Sequence, residues 1–150
     1  MGVVYKTGDI FTSTAEYLVN PTNFQGPMGG GLARQFANRF YGLEEEYCRL
    51  CESNRYGPLI RQYHLIPIWR ESTGVRIINF ATMDLGEPAK MDDVATGLTR
   101  LQGWFVKSVP TSVAFPKIGC GIGGLDWAEV KPLIEFTLGR IDGLTVEIWE

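Results

Sequence analysis

The spacing of hydrophobic positions changes repeatedly along the chain, and the changes mark out alternating strands and helices. Residues 3–5 and 17–20 are short apolar runs of strand length. Leu32, Phe36 and Phe40 then recur every four residues on one helical face, leaving Arg34, Gln35, Asn38 and Arg39 toward solvent. Gly42 is placed to stop that helix. Leu43, Tyr47 and Leu50 form the next stripe, with Glu44, Glu45 and Glu46 in a first turn where the helix dipole favours negative charge. Residues 63–69 read as a strand, with Pro67 pointing to an edge or a bulge. Residues 75–80 read as a stronger one. Val94, Leu98, Leu101 and Phe105 mark a third main helix, weakened by Gly97 and Gly103. A strand over 112–115 follows. Trp127, Val130, Ile134 and Leu138 then mark a long helix, whose start carries the capping-box spacing Asp126…Glu129. Residues 145–149 close the chain as a strand.

This alternation predicts an α/β architecture with helices on both faces of a sheet. The 150 residues suit one domain over 1–150 and are too few for a TIM barrel. No G-x-G-x-x-G follows the first strand, which argues against a Rossmann reading. A hydrophobic fraction of 45% and eighteen aromatic residues exclude a disordered chain. The net charge of -3 argues against strong binding of duplex nucleic acid by bulk electrostatics. The chain start shows no signal-peptide pattern and no apolar run is long enough to span a bilayer, so no membrane association is expected. Three cysteines, an odd number, suit a reducing cytoplasm. A monomer is the expected state. Cys48, Cys51, Cys120 and His64 make up a zinc-ligand set in number only. The Cys48/Cys51 pair falls on an amphipathic helix and Cys120 in a glycine loop, so no metal is expected. His64 reads as a structural histidine.

Glycine, with 18 residues, concentrates in two stretches, 26–31 and 119–124. Each lies between an apolar strand and a helix. Glycines let backbone N–H groups turn toward a ligand without interference from a Cβ, and the free N–H groups of a helix start favour an anion. Two such loops side by side suit a diphosphate. Neither ends in the Lys-Ser/Thr of a P-loop, which argues against nucleoside triphosphate hydrolysis.

The residues Gly8-Asp9-Ile10, Val19-Asn20, Asn23, Gly29-Gly30-Gly31-Leu32-Ala33, Ile78-Asn79-Phe80-Ala81-Thr82 and Gly119-Cys120-Gly121-Ile122-Gly123-Gly124-Leu125-Asp126-Trp127 together resemble the macro domains that bind ADP-ribose. The second loop with its Leu-Asp-Trp tail looks most like the branch that reverses DNA ADP-ribosylation as the antitoxin of a toxin pair. The human terminal ADP-ribose hydrolase is a more distant likeness. The resemblance implies a three-layer α/β/α fold with a mixed, mostly parallel central sheet. It also implies ADP-ribose as ligand or product, with no further cofactor. Asp9 matches the carboxylate that accepts from the adenine amino group, with Ile10 beside it. Asn23 matches the amide near the distal ribose. Met28, Gly29, Gly30, Gly31 and Leu32 match the first loop around the ligand, and Gly119, Cys120, Gly121, Ile122, Gly123 and Gly124 match the second. Thr82 lies between them, and Trp149 matches an aromatic beside adenine.

The match breaks where chemistry is expected. Hydrolytic members of the branch carry a lysine after the threonine, where this chain has Met83. The aspartate of human-like members is replaced by Gly123, and an asparagine common in antitoxin-like members by Ile122. A thioether supplies neither charge nor proton. Hydrolysis would then be lysine-independent and rest on positioning, with Asn23 orienting the ribose and Asp84, one residue past Met83, as the candidate carboxylate. A non-catalytic reader of ADP-ribose and an ADP-ribose 1''-phosphate phosphatase remain the alternatives. The expected partner is ADP-ribose or an ADP-ribosylated macromolecule.

Overall fold

The computed structural model describes residues 2–150. Its elements follow in the order β1 (Gly2–Lys6), β2 (Tyr17–Asn23), α1 (Gly31–Arg39), α2 (Leu43–Glu52), α3 (Gly57–Tyr63), β3 (Ile68–Arg70), β4 (Arg76–Met83), α4 (Met91–Lys107), β5 (Ser112–Phe115), α5 (Trp127–Leu138) and β6 (Thr145–Trp149). A 3-10 turn over Ile10–Thr12 follows β1. The strands form one sheet in the order β1-β6-β5-β2-β4-β3. All neighbours are parallel except β3, which pairs antiparallel with β4. Among the described residues no helix is long and apolar enough to cross a membrane.

Side chains alternate across each central strand, so one short run feeds two cores. Tyr17, Val19, Ile78, Phe80, Val113 and Phe115 face α4 and α5, packing with Val94, Leu98, Phe105, Val130 and Ile134. Leu18, Ile77 and Ala114 face the other way, onto Phe36, Leu43 and Tyr47 of α1 and α2. The result is a three-layer α/β/α arrangement with a mixed, mostly parallel sheet. At the β2–β4 register pair Asn20↔Asn79, the buried Asn20 Nδ2 donates to Asn79 Oδ1 at 3.1 Å. A polar pair in this apolar centre favours that register over a slip by one residue.

Three expectations are corrected by the structure. Residues 63–69 are not one strand: Tyr63 ends α3, and only Ile68–Arg70 pairs, at the sheet edge. The seven-residue α3 buries a single residue, Ile60, and so leaves no periodic stripe to read. His64 ends the helix in the left-handed conformation (φ 53°). The strand over 17–20 continues to Asn23, which places Asn23 at the C-terminal end of this interior strand. At α5, the Asp126 carboxylate accepts from Ala128 N at 3.0 Å, but Glu129 makes no reciprocal side-chain bond among the described residues.

Gly97, read as a weak point of α4, is required by its surroundings. A Cβ there would stand 2.3 Å from Cζ of Phe80, which is fully buried. The missing side chain lets α4 lie directly on β4.

Candidate functional site

Because β1, β6, β5, β2 and β4 are parallel, their C-terminal ends share one edge of the sheet, where open α/β sheets bind ligands. A cleft of about 910 Å³ opens there. It is lined by Asn23 and Thr22 from the end of β2, by Met28, Gly29, Gly30, Gly31 and Leu32, by Thr82 and Met83 from the end of β4, and by Gly119 to Gly123 after β5. A smaller pocket of about 440 Å³, beyond the ends of β1 and β6, is lined by Asp9, Ile10, Gln35, Trp149 and Glu150. Leu32, Pro116 and Lys117 line both, so the two form one trough along the sheet edge.

The two glycine loops face each other across the trough. Cδ1 of Ile122, which is 69% exposed, lies 3.1 Å from where a Cβ of either Gly30 or Gly31 would stand. Side chains on those glycines would close the gap. Between the loops, α1 begins at Gly31, and its N-cap Gly30 has no side chain to cap it. Its first-turn N–H groups are thus free to meet an anion, and the helix dipole favours one there. Gly123 is held by close approach: a Cβ would lie 2.7 Å from both Gly119 O and the Ala89 Cβ. That position has no room for a carboxylate in this backbone.

A third wall was not legible in the sequence. Leu85, Gly86, Glu87 and Pro88, in the loop between β4 and α4, also line the cleft. This loop is tied to both glycine loops. Gln25 Nε2 donates to Asp84 Oδ1 at 2.7 Å and Leu85 N donates to Gln25 Oε1 at 2.6 Å. On the other side, Ala89 N donates to Gly123 O at 3.0 Å. The signal available was the turn-forming Asp84-Leu85-Gly86-Glu87-Pro88 after a strong strand, but no motif marks it as a ligand wall.

The candidate residues separate by placement. Asp9, Ile10 and Trp149 line the smaller pocket, and the others named line the main cleft, except Gly124 and Asp84. Gly124 lies in a turn, its N–H donating to Gly121 O. Asp84 is held between Arg61, whose Nη2 lies 2.8 Å from Oδ2, and Gln25. The buried Asn23 side chain is largely engaged with its own loop. Oδ1 accepts from Gln25 N (3.0 Å) and Gly26 N (2.7 Å), and Nδ2 donates to Pro27 O at 2.7 Å. One N–H is left, so Asn23 can offer a ribose a donor but no acceptor. Asp9 Oδ1 accepts from Phe11 N at 2.9 Å, and Oδ2 lies 3.6 Å from Arg39 Nη2. Trp149 Nε1 donates to Glu147 Oε1 at 2.9 Å, which fixes the indole on the closing strand.

Among residues lining the main cleft, only Lys117 and Glu87 carry formal charge at neutral pH. The Cys120 thiol is pushed above its usual range by desolvation, with Asp126 adding to the effect and Lys117 opposing it. It is therefore a neutral thiol at pH 7 rather than a nucleophilic thiolate. Met83 lies partly exposed in the cleft wall.

A macro domain family model matches residues 19–134, and the chain belongs to the macro domain family. It is 30% identical over 157 residues to the DNA ADP-ribosyl glycohydrolase of Thermus aquaticus, covering 97% of this chain and 40% of that protein. The chain thus spans about two fifths of the length of that curated relative. It is 25% identical over 138 residues to ADP-ribose glycohydrolase OARD1 of Homo sapiens, covering 89% of this chain and 82% of the relative. Among solved structures, the macrodomain of Thermus aquaticus DarG superposes with a TM-score of 0.84 at 31% identity, over 99% of each chain.

Proposed function

We propose that the protein binds ADP-ribose along the sheet edge and releases it by hydrolysis from a modified nucleic acid or protein. The adenine lies against Asp9, Ile10 and Trp149. The diphosphate passes between the glycine loops over the uncapped start of α1. The distal ribose reaches Asn23, Thr82 and Met83. The observation that carries this reading is the pair of facing glycine loops in a trough continuous with the smaller pocket. The relatives named as ADP-ribosyl and ADP-ribose glycohydrolases support the hydrolytic part.

The chemistry follows from what the cleft offers. Met83 supplies no amine and Cys120 is protonated, so no covalent adduct with a side chain is expected. Water attacks the ribose carbon as its bond to the target atom breaks; the water proton passes by way of a diphosphate oxygen of the substrate to the departing target atom, leaving free ADP-ribose and the unmodified target. The remaining N–H of Asn23 holds a ribose hydroxyl in place, and loop N–H groups stabilise the developing charge. Pure reading of ADP-ribose is the second interpretation, and the thioether of Met83 in the cleft wall is the observation that favours it.

Three substrates separate the readings: an ADP-ribosylated DNA oligonucleotide, an ADP-ribosylated protein and ADP-ribose 1''-phosphate. Release from either macromolecule, with no adduct trapped by borohydride, supports hydrolysis. Turnover of the 1''-phosphate alone makes the protein a phosphatase. Intact substrates with calorimetric binding of ADP-ribose make it a reader. Equal binding of AMP and ADP-ribose, or no binding of ADP-ribose, would remove the two-loop model.

A further inference from the structure

A second concave site lies away from the trough, where α3, the start of β3 and α4 meet. Its volume is about 420 Å³ and it shares no lining residue with the main cleft or its smaller extension. The volume is within the range of small-molecule sites. Leu59, Leu65, Ile66, Ile68, Leu101 and Trp104 make its apolar walls. Leu59 and Leu65 are 39% and 41% exposed, so the apolar surface is open to solvent.

Three polar groups line the same space: Tyr63, His64 and Arg100. Arg100 Nε donates to Tyr63 O at 2.9 Å, which anchors the guanidinium at its inner end. Its terminal nitrogens make no ion pair among the described residues. His64 is 4% exposed, and its Nε2 lies 2.9 Å from Ala81 O. A carbonyl only accepts, so Nε2 carries the proton and Nδ1 bears a lone pair, which has no partner. Desolvation holds the imidazole pKa below its usual value, opposed by the Ala81 carbonyl and Asp93 and aided by the Arg100 charge, so the ring is neutral at pH 7. Arg100 is then the one formal charge lining an otherwise apolar hollow.

We infer that this hollow is a second ligand site, for a small molecule with a flat apolar or aromatic body and one carboxylate. The body packs between Leu59, Leu65 and Trp104, and the carboxylate pairs with the free fork of Arg100. Such pairing suits a planar, two-toothed contact that lysine would not reproduce. Occupancy does not require ADP-ribose, since no wall is shared.

The test uses 2-naphthoate and its neutral amide as probes, followed by amide chemical shifts of the full chain. The acid is expected to shift signals around residues 63–68 and 100–104, and to bind about fivefold more tightly than the amide, the scale of one solvent-accessible ion pair. Arg100→Met should erase that preference. Leu65→Glu, at an already exposed position, should abolish binding of both probes while circular dichroism and ADP-ribose affinity stay unchanged. No shifts at millimolar probe would overturn the inference. So would displacement of the probe by ADP-ribose, or an acid preference that survives Arg100→Met.

Discussion

Asn23→Ala tests how far the first glycine loop depends on one buried amide. The substitution removes three hydrogen bonds, those to Gln25 N, Gly26 N and Pro27 O. Each contributes about 0.5–1.5 kcal/mol net, so their loss amounts to roughly 2–4 kcal/mol. Against a typical stability of about 5–15 kcal/mol, the variant still folds. Its melting temperature should fall by roughly 5–15 °C, at about 2–4 °C per kcal/mol for a domain of this size. The effect on the site is larger than on the fold, because the same bonds hold Gln25 to Pro27, the segment that leads into Met28 and Gly29 of the cleft wall. Binding of ADP-ribose should weaken, and turnover, where present, should drop about 10²-fold, since reaction depends on the placement of the distal ribose. Asn23→Asp separates the two roles. It keeps the acceptor for both backbone N–H groups but sets a carboxylate oxygen against Pro27 O and removes the N–H proposed to meet the ribose. It should recover part of the lost stability and none of the lost turnover. The measurements are thermal unfolding, calorimetry with ADP-ribose and initial rates on the substrate found active. An Asn23→Ala variant that melts within about 1 °C of the parent would refute the three-bond account. An Asn23→Asp variant with full turnover would refute the donor role.

Gly30→Glu should abolish ADP-ribose binding by calorimetry with the circular dichroism spectrum unchanged, because Gly30 has an extended backbone (φ −155°) that any residue adopts and a side chain there meets Ile122 across the trough. Trp149→Ala should weaken ADP-ribose binding by about 1–3 kcal/mol, the scale of a base stack, and leave ribose 5-phosphate binding unchanged; equal losses for both ligands would make Trp149 a packing residue. Gly97→Ala should destabilise the fold in chemical denaturation by up to about 2 kcal/mol, the difference between an overlap with Phe80 costing about 1–3 kcal/mol and a helix-propensity gain of about 1 kcal/mol. Adding Phe80→Leu should recover part of that loss. Met83→Ala should change turnover far less than Asn23→Ala, because its thioether offers neither acid nor base.

Features that depend on neighbours along the chain were legible in the sequence. The four-residue recurrence of Leu32, Phe36 and Phe40 gives a helix because the period of the backbone and that of the side chains coincide locally. The glycine stretches at 26–31 and 119–124 announce loops for the same short-range reason, and their position after apolar strands placed them at one sheet edge once the strands proved parallel. What only the tertiary structure decided rests on contacts between distant residues. Helix α3 buries one side chain, Ile60, against Phe24 and Ala81, so its stability comes from packing that no window of sequence displays. Asp84 follows Met83 in the chain yet is drawn to Arg61 and Gln25, because opposite charge and a free amide await it there. Asn23 resembles a ribose-binding amide in sequence, but the bend of its loop brings three backbone partners to it first. Gly97 looks like a flaw in a helix until β4 sets Phe80 beneath it. Local periodicity determined which elements form; the meeting of their surfaces determined which polar groups remain free to meet a ligand.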